Sequence, residues 1–211
     1  MDFVERHKSD FKHKPVILSI CSITLTKRDL NTVDWPNWLN DSIIIASLRM
    51  ACPQNVFVMD PLFQKKIQGA GIEVAYKSLK KDIFDDHTDI IFIVNPGEAH
   101  WALVHVDMTK KIIEYHDSLH YDGTLHLKRA ESFLNHRNEQ LGRDIETFTL
   151  LDKKNSPFQS NPNDCGVFTI LNSLLIMKKT RISTDAYDEK TARQMRYIIR
   201  HDLLVGKNTN I

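Results

Sequence analysis

Apolar and polar positions along the chain follow two rhythms, period two and period near 3.6, and these divide it into elements. Residues 16–25, VILSICSITL, are almost wholly apolar and rich in β-branched side chains, which predicts a strand or an extended buried arm. Residues 35–50, WPNWLNDSIIIASLRM, read as a loop entering a helix. Pro36 breaks regular structure, and Asn40 or Asp41 can cap the first N–H groups. Ile43, Ile44, Ile45, Leu48 and Ala51 then supply a wide apolar face. Residues 56–71, VFVMDPLFQKKIQGAG, predict a strand and then a short helix. Asp60 is its cap, Pro61 its first residue, and glycine its end.

The middle of the chain has the clearest pattern. DIIFIVNP (89–96), HWALVHVD (100–107) and KIIEYHDS (111–118) are β-rich runs. A tight turn from Asp107 to Lys110 joins the last two as an antiparallel hairpin. His105 takes an ordinary sheet position there, and Phe92 and Tyr115 read as core aromatics. Residues 126–142 put Leu127, Ala130, Phe133, Leu134 and Leu141 on one helical face, with Gly142 as C-cap. Residues 146–152 predict a strand with a partly polar face. A loop with Pro157 and Pro162 leads to a helix after Cys165, and residues 188–204 predict a last amphipathic helix. Strands gathered in the middle with helices on both sides predict an α+β layered fold. Residues 1–14 are charged and aperiodic and read as a loose lead-in; 15–205 form one domain, and 206–211 a tail.

Composition narrows the class. The chain has 211 residues, 42% hydrophobic and 26% charged, enough for one sizeable core. A formal net charge of +1 gives no electrostatic case for nucleic acid. No run of apolar residues is long enough for a membrane span, and the opening MDFVERHKSDFKHK has no apolar core for a signal peptide. The basic run KSLKKD (77–82) reads as a solvated loop. Three cysteines, an odd and low number, exclude a disulfide scaffold and suit the reducing cytosol or nucleus. The chain has ten histidines, but no CxxC or HExxH pattern, so no metal is expected.

The cysteines differ in setting. Cys21 and Cys52 lie beside Ile20, Ile23 and Met50 and read as small core residues. Cys165 opens a helix within NPNDCGVFTILNSLL, where the first N–H groups can favour a thiolate. Gly166 would leave the thiol unobstructed and let a substrate backbone approach. On its neighbours alone, nucleophile and core filler weigh equally. A nucleophilic cysteine needs a base, and position selects one. His100 follows a Gly/Pro loop at the edge of a predicted strand, and Asp117 ends the partner strand. The hairpin turn reflects one onto the other, so the carboxylate can hold the imidazole. Gln159, six residues before Cys165, can donate to an oxyanion beside the Cys165 N–H. Taken alone, though, a loop glutamine is usually just solvated.

WLND ahead of an apolar helix, then HW, then HDS, then Q-x5-C within DCG resembles the Ulp/SENP cysteine proteases of ubiquitin-like modifiers. The motifs run from about residue 35 to 177. The resemblance implies a papain-like α+β fold of the Ulp/adenain type and no cofactor. It makes His100 the base, Asp117 its orienter, Gln159 the oxyanion donor and Cys165 the nucleophile. It also implies that Trp38 and Trp101 close over the Gly-Gly tail of the modifier and that Asp41 pairs with an arginine on it. Within the family, the opening VILSICSITLTKRDLNTVDWPNWLNDSII looks like the short, NEDD8-directed branch. The segment 119–126, LHYDGTLH, carries no family pattern. The implied partner is therefore a modifier, NEDD8 first, SUMO or ubiquitin otherwise, handled by a monomer. Two other functions compete: an acyltransferase on a related fold, and a binding module without catalysis. The tryptophan pair argues against the first and the complete quartet against the second.

Overall fold

The computed structural model describes residues 16–79 and 84–206. The expected lead-in at 1–14, residues 207–211 of the tail and part of the basic run 77–82 lie outside the described residues. Residues 16–25 do not form one strand. They fold as an antiparallel hairpin, β1 (Val16–Ile20) and β2 (Ile23–Thr26). Cys21 and Ser22 turn it, with φ of 47° and 66°. Two left-handed residues in succession give a turn whose twist matches that of a hairpin. No Asn or Gly advertises this turn, so the apolar run conceals it. Cys21 is consequently exposed rather than in the core. Cys52 is half-buried, with its thiol on the Val56 carbonyl at 3.0 Å.

Thr26 and Asp29 form a reciprocal capping box at the start of α1 (Lys27–Asn31). Asn40, not Asp41, caps α2 (Asp41–Ala51), accepting from the Ile43 N–H at 3.0 Å. β3 (Val56–Met59) runs into α3 (Pro61–Ala70), capped by Asp60 as expected. Gly71, at φ 89°, ends α3, and α4 (Ile72–Lys77), which the pattern does not foresee, follows at once.

The central sheet has the order β3-β4-β5-β6-β7, with β4 Asp89–Val94, β5 Ala102–Asp107, β6 Ile112–His116 and β7 Thr149–Lys153. β3–β4 and β6–β7 are parallel, while β4–β5 and β5–β6 are antiparallel. Alternation along the strands sends side chains to two faces. Phe92, Val104, Ile113 and Tyr115 meet Leu127, Ala130, Phe133 and Leu134 of α5 (Thr124–Gln140) on one face. On the other, Ile91, Ile93 and Leu103 share a core with α2, α6 (Cys165–Met177) and α7 (Glu189–Val205). α6 runs through this second layer and is buried on most sides, which accounts for its nearly unbroken apolar run. A mixed sheet with helices on both faces is the α+β arrangement that the sequence predicts. No helix among the described residues is long and apolar enough to cross a membrane.

Candidate active site

The β5–β6 hairpin and the N-terminus of α6 bring the expected residues to one end of the sheet. Leu103 pairs with His116, so His100 and Asp117 lie just beyond the paired strands at the same end. β5 begins at Ala102 rather than at His100, which frees His100 and Trp101 from the ladder. His100 Nε2 lies 2.5 Å from Asp117 Oδ1, and both side chains are buried. The Asp117 carboxylate also accepts from the Leu119 N–H (2.8 Å), the Tyr121 N–H (3.1 Å) and the Tyr115 hydroxyl (3.2 Å). Burial pushes its pKa up, but His100 and these N–H donors hold it below the ordinary carboxylate range. Burial pulls His100 down. The hydrogen bond to Asp117, with the nearby Cys165 and the Asp117 charge adding to it, outweighs that and raises it to about 9. With Asp117 at Nε2, Nδ1 is the ring nitrogen left for another partner.

Cys165 is the first residue of α6 and is 2% exposed. Asp164 stands in the cap position but does not cap the helix. Its carboxylate accepts instead from Arg196 Nε at 2.9 Å and from Asn161 Nδ2 at 2.9 Å. Arg196, a buried residue of α7, also donates to the Val33 and Asn163 carbonyls at 3.1 and 2.9 Å. Diverting Asp164 leaves the leading N–H groups of α6 without a side-chain cap. Their partial positive charge is therefore directed at whatever anion forms at the helix start.

Gln159 is not a solvated loop residue; it is 2% exposed. Its Oε1 accepts from the Ser118 hydroxyl at 2.6 Å, and its Nε2 donates to the Asn161 carbonyl at 2.8 Å. Trp101 is buried, with its indole N–H on the Leu39 carbonyl at 2.9 Å. Trp38 is 46% exposed and donates to Asn163 Oδ1 at 3.2 Å. Both indoles are thus tied to the segments flanking Cys165 and α2. Asp41 lies in the first turn of α2, where its carboxylate accepts from the Ser42 N–H at 2.8 Å. Gly166 has a packing role besides the expected open approach to the thiol. A Cβ there would stand 3.0 Å from Leu39 Cβ, 3.2 Å from Ile44 Cδ1 and 3.3 Å from Trp101 Cδ1. Its bare backbone lets α6 press against α2 and Trp101.

Ser118, Asn161, Asp164 and Arg196 are residues of this site that sequence reasoning did not single out. Asp164 adjoins Cys165 and was open to notice. Arg196 was not, because its partner lies 32 residues away along the chain.

His105 proves to be more than an ordinary sheet residue. Its Nε2 lies 2.8 Å from Asp89 Oδ1, and its Nδ1 is 3.6 Å from Glu114. Glu114 also faces His116 at 3.4 Å and Lys153 at 3.2 Å, and Lys179 reaches Asp89 at 2.6 Å. Among the described residues no group of three or more His, Cys, Asp or Glu is arranged to hold a metal ion.

The model of the Ulp1 protease family, C-terminal catalytic domain, matches residues 37–202. The sentrin-specific protease of Caenorhabditis elegans is 28% identical over 178 residues, 79% of this chain and 25% of its own length. Ubiquitin-like-specific protease 1 of Saccharomyces cerevisiae is 28% identical over 194 residues, 87% of this chain and 30% of its own length. The chain therefore spans well under half of either relative. Among solved structures, the C-terminal Ulp1 protease domain in complex with Smt3, the yeast orthologue of SUMO, aligns with a TM-score of 0.82 at 24% identity. That alignment covers 98% of this chain and 96% of the other, and bears out the papain-like α+β fold. With its residues 37–202 matching the catalytic domain, the chain belongs to the Ulp1 family of cysteine proteases.

Proposed function

We propose that this chain cleaves the bond after the C-terminal glycine of a ubiquitin-like modifier, releasing it from a precursor extension or from a lysine. The observation that carries this reading is the buried His100 ring, held by Asp117 and placed near Cys165, which opens an uncapped helix. Cys165 attacks the glycine carbonyl as a thiolate paired with the His100 imidazolium. The Cys165 N–H and the Gln159 amide donate to the oxyanion. His100 gives its proton to the departing amine, leaving a thioester. It then takes a proton from water, which hydrolyses the thioester and frees the modifier. Asp117 keeps the imidazole oriented throughout. Trp38 and Trp101 wall the approach of a glycine tail, which offers no side chains to grip. Asp41 pairs with an arginine of the modifier.

The substrate class favoured here is a SUMO-type modifier, because the aligned Ulp1 domain is bound to the yeast orthologue of SUMO. NEDD8, expected from the opening segment, finds no support in those relatives and stands second. The test is a panel of SUMO, NEDD8 and ubiquitin carrying a C-terminal electrophile. The SUMO probe labels Cys165 fastest, and Cys165→Ala labels with none while still binding SUMO. Unchanged labelling of Cys165→Ala sinks the mechanism. Faster labelling by NEDD8 changes only the modifier.

A further inference from the structure

Two aromatic side chains stand exposed on the loops that flank the buried His100–Asp117 pair. Tyr121 is 55% exposed and Phe158 is 59% exposed. Exposed aromatic side chains on neighbouring loops mark contact surfaces more often than isolated ones do. Tyr121 lies on the loop after Asp117. Its N–H holds the Asp117 carboxylate, and its ring meets the His100 ring edge-on, with centroids 5.6 Å apart. Phe158 directly precedes Gln159, and its ring meets that of His120 edge-on at 5.6 Å.

The two loops are stitched together. The Gln159 N–H donates to the Ser118 carbonyl at 3.0 Å, the Ser118 hydroxyl to Gln159 Oε1 at 2.6 Å, and His120 Nε2 to the Ser156 carbonyl at 2.8 Å. Both exposed rings are therefore carried by backbone that the site itself fixes. The neighbouring Lys154 ammonium is engaged by the Tyr121 carbonyl and by Asp152, at 2.5 and 2.9 Å. The indoles of Trp38 and Trp101 are anchored elsewhere, on Asn163 and on Leu39. The four aromatics thus form two pairs, one tied to the Leu39 and Asn163 segments and one to the loops beside His100.

A chain crossing such a site has two sides. The glycine tail precedes the scissile bond, and the departing amine follows it. The amine must come to the His100 imidazole to collect its proton, and Tyr121 packs against that imidazole. Resting on the peptidase reading above, we infer that Tyr121 and Phe158 form a leaving-group subsite selective for an apolar or aromatic side chain next to the departing amine. That side chain is the residue after Gly-Gly in a precursor, or the neighbour of the modified lysine in a conjugate. Both sources share one chemistry: an apolar group that can lie on exposed ring faces.

The test compares kcat/KM for two sets of substrates. One set carries Leu, Phe, Ser or Asp after Gly-Gly; the other carries Leu or Ser beside the isopeptide-linked lysine. The wild-type protein prefers the apolar member by about tenfold, the size of effect that one or two aromatic contacts supply. Phe158→Ser brings the ratio toward one, and Phe158→Leu keeps most of it. The ratio is internal to each protein, so a variant of lower overall activity still reports it, and Tyr121→Ser gives a second reading if Phe158→Ser does not fold. A wild-type ratio near one in both sets overturns the subsite, as does a preference that survives both serine variants. A preference in one set alone supports it and identifies the source of the side chain. A wild-type protein that cleaves no substrate, and whose Cys165 no modifier probe labels, fails the peptidase reading itself and the subsite with it.

Discussion

Two buried histidine–aspartate pairs sit against the same hairpin, and only one has a thiol beside it. His100 pairs with Asp117 at 2.5 Å and His105 with Asp89 at 2.8 Å. Both histidines are almost fully buried, and burial alone would lower both. Both are nonetheless raised by the acids that face them. The difference lies in the surroundings. Asp117 is held by two backbone N–H groups and a tyrosine hydroxyl, which leaves the far side of the His100 ring for Cys165. His105 lies between two carboxylates, themselves engaged by Lys179 and Lys153. A buried His–Asp pair therefore does not by itself mark chemistry. It takes a third partner at a helix start to turn the same ion pair toward a substrate.

The sharpest way to break this comparison is to neutralise each acid in turn. On the proposed mechanism, Asp117→Asn lowers kcat by about a thousandfold with KM little changed, because the imidazole loses its orientation and its charge partner. Steady-state kinetics on a modifier substrate reads it. A loss under tenfold separates Asp117 from the proposed chemistry and makes the two pairs equivalent.

The second pair gives its signal in stability. His105→Gln costs about 2 kcal/mol, because the buried Asp89 and the half-buried Glu114 keep their lysine partners but lose the imidazolium between them. Urea unfolding checks it, and per-molecule activity stays near that of the wild type. The sign of the pH effect follows from the raised pKa of His105. Its stabilisation is fully present below the unfolded histidine value of about 6.5 and is lost as pH rises through the folded value. The gap between wild type and His105→Gln is therefore widest near pH 6 and narrows at alkaline pH. His116, Asp89, Asp107, Glu114, Lys110, Lys153, Lys179 and Arg181 line the same cavity, and Asp89, Glu114 and His116 feel His105 directly, so the difference reads His105 together with its hold on them. A gap that widens with pH contradicts the assignment.

The smallest effect is expected outside both pairs. Trp38→Ala raises KM about tenfold and leaves the melting temperature within a degree or two, because the ring is half exposed and packs mainly at the surface. An unchanged KM removes Trp38 from the glycine-tail slot.

How much of this was legible in the sequence depended on the range of the interaction. His100 and Asp117 could be paired from the hairpin alone, since a turn near residues 108–110 reflects one onto the other. Helices α2, α3, α5, α6 and α7 were legible from periodicity and caps, with ends shifted by a few residues. The turn at Cys21–Ser22 was not, because its left-handed residues are neither Gly nor Asn. The packing part played by Gly166 was hidden because its contacts, Leu39, Ile44 and Trp101, come from distant segments. The charges around His105 stayed hidden for the same reason. In the sequence they are single polar letters in apolar strands, and only the sheet register sets Asp89, Glu114 and His105 together.

The grip of Arg196 on Asp164 also has a consequence in time. The loop ahead of Cys165 is braced from α7, 32 residues further along the chain. While a ribosome is still adding those residues, the sheet, His100, Asp117 and Cys165 have already been made, yet Asp164 has only the Asn161 amide to hold it away from the helix start. On the proposed mechanism, the thiol comes under control only when the last helix docks. A nascent or C-terminally clipped chain would carry every reacting group and still lack the main brace of its thiol.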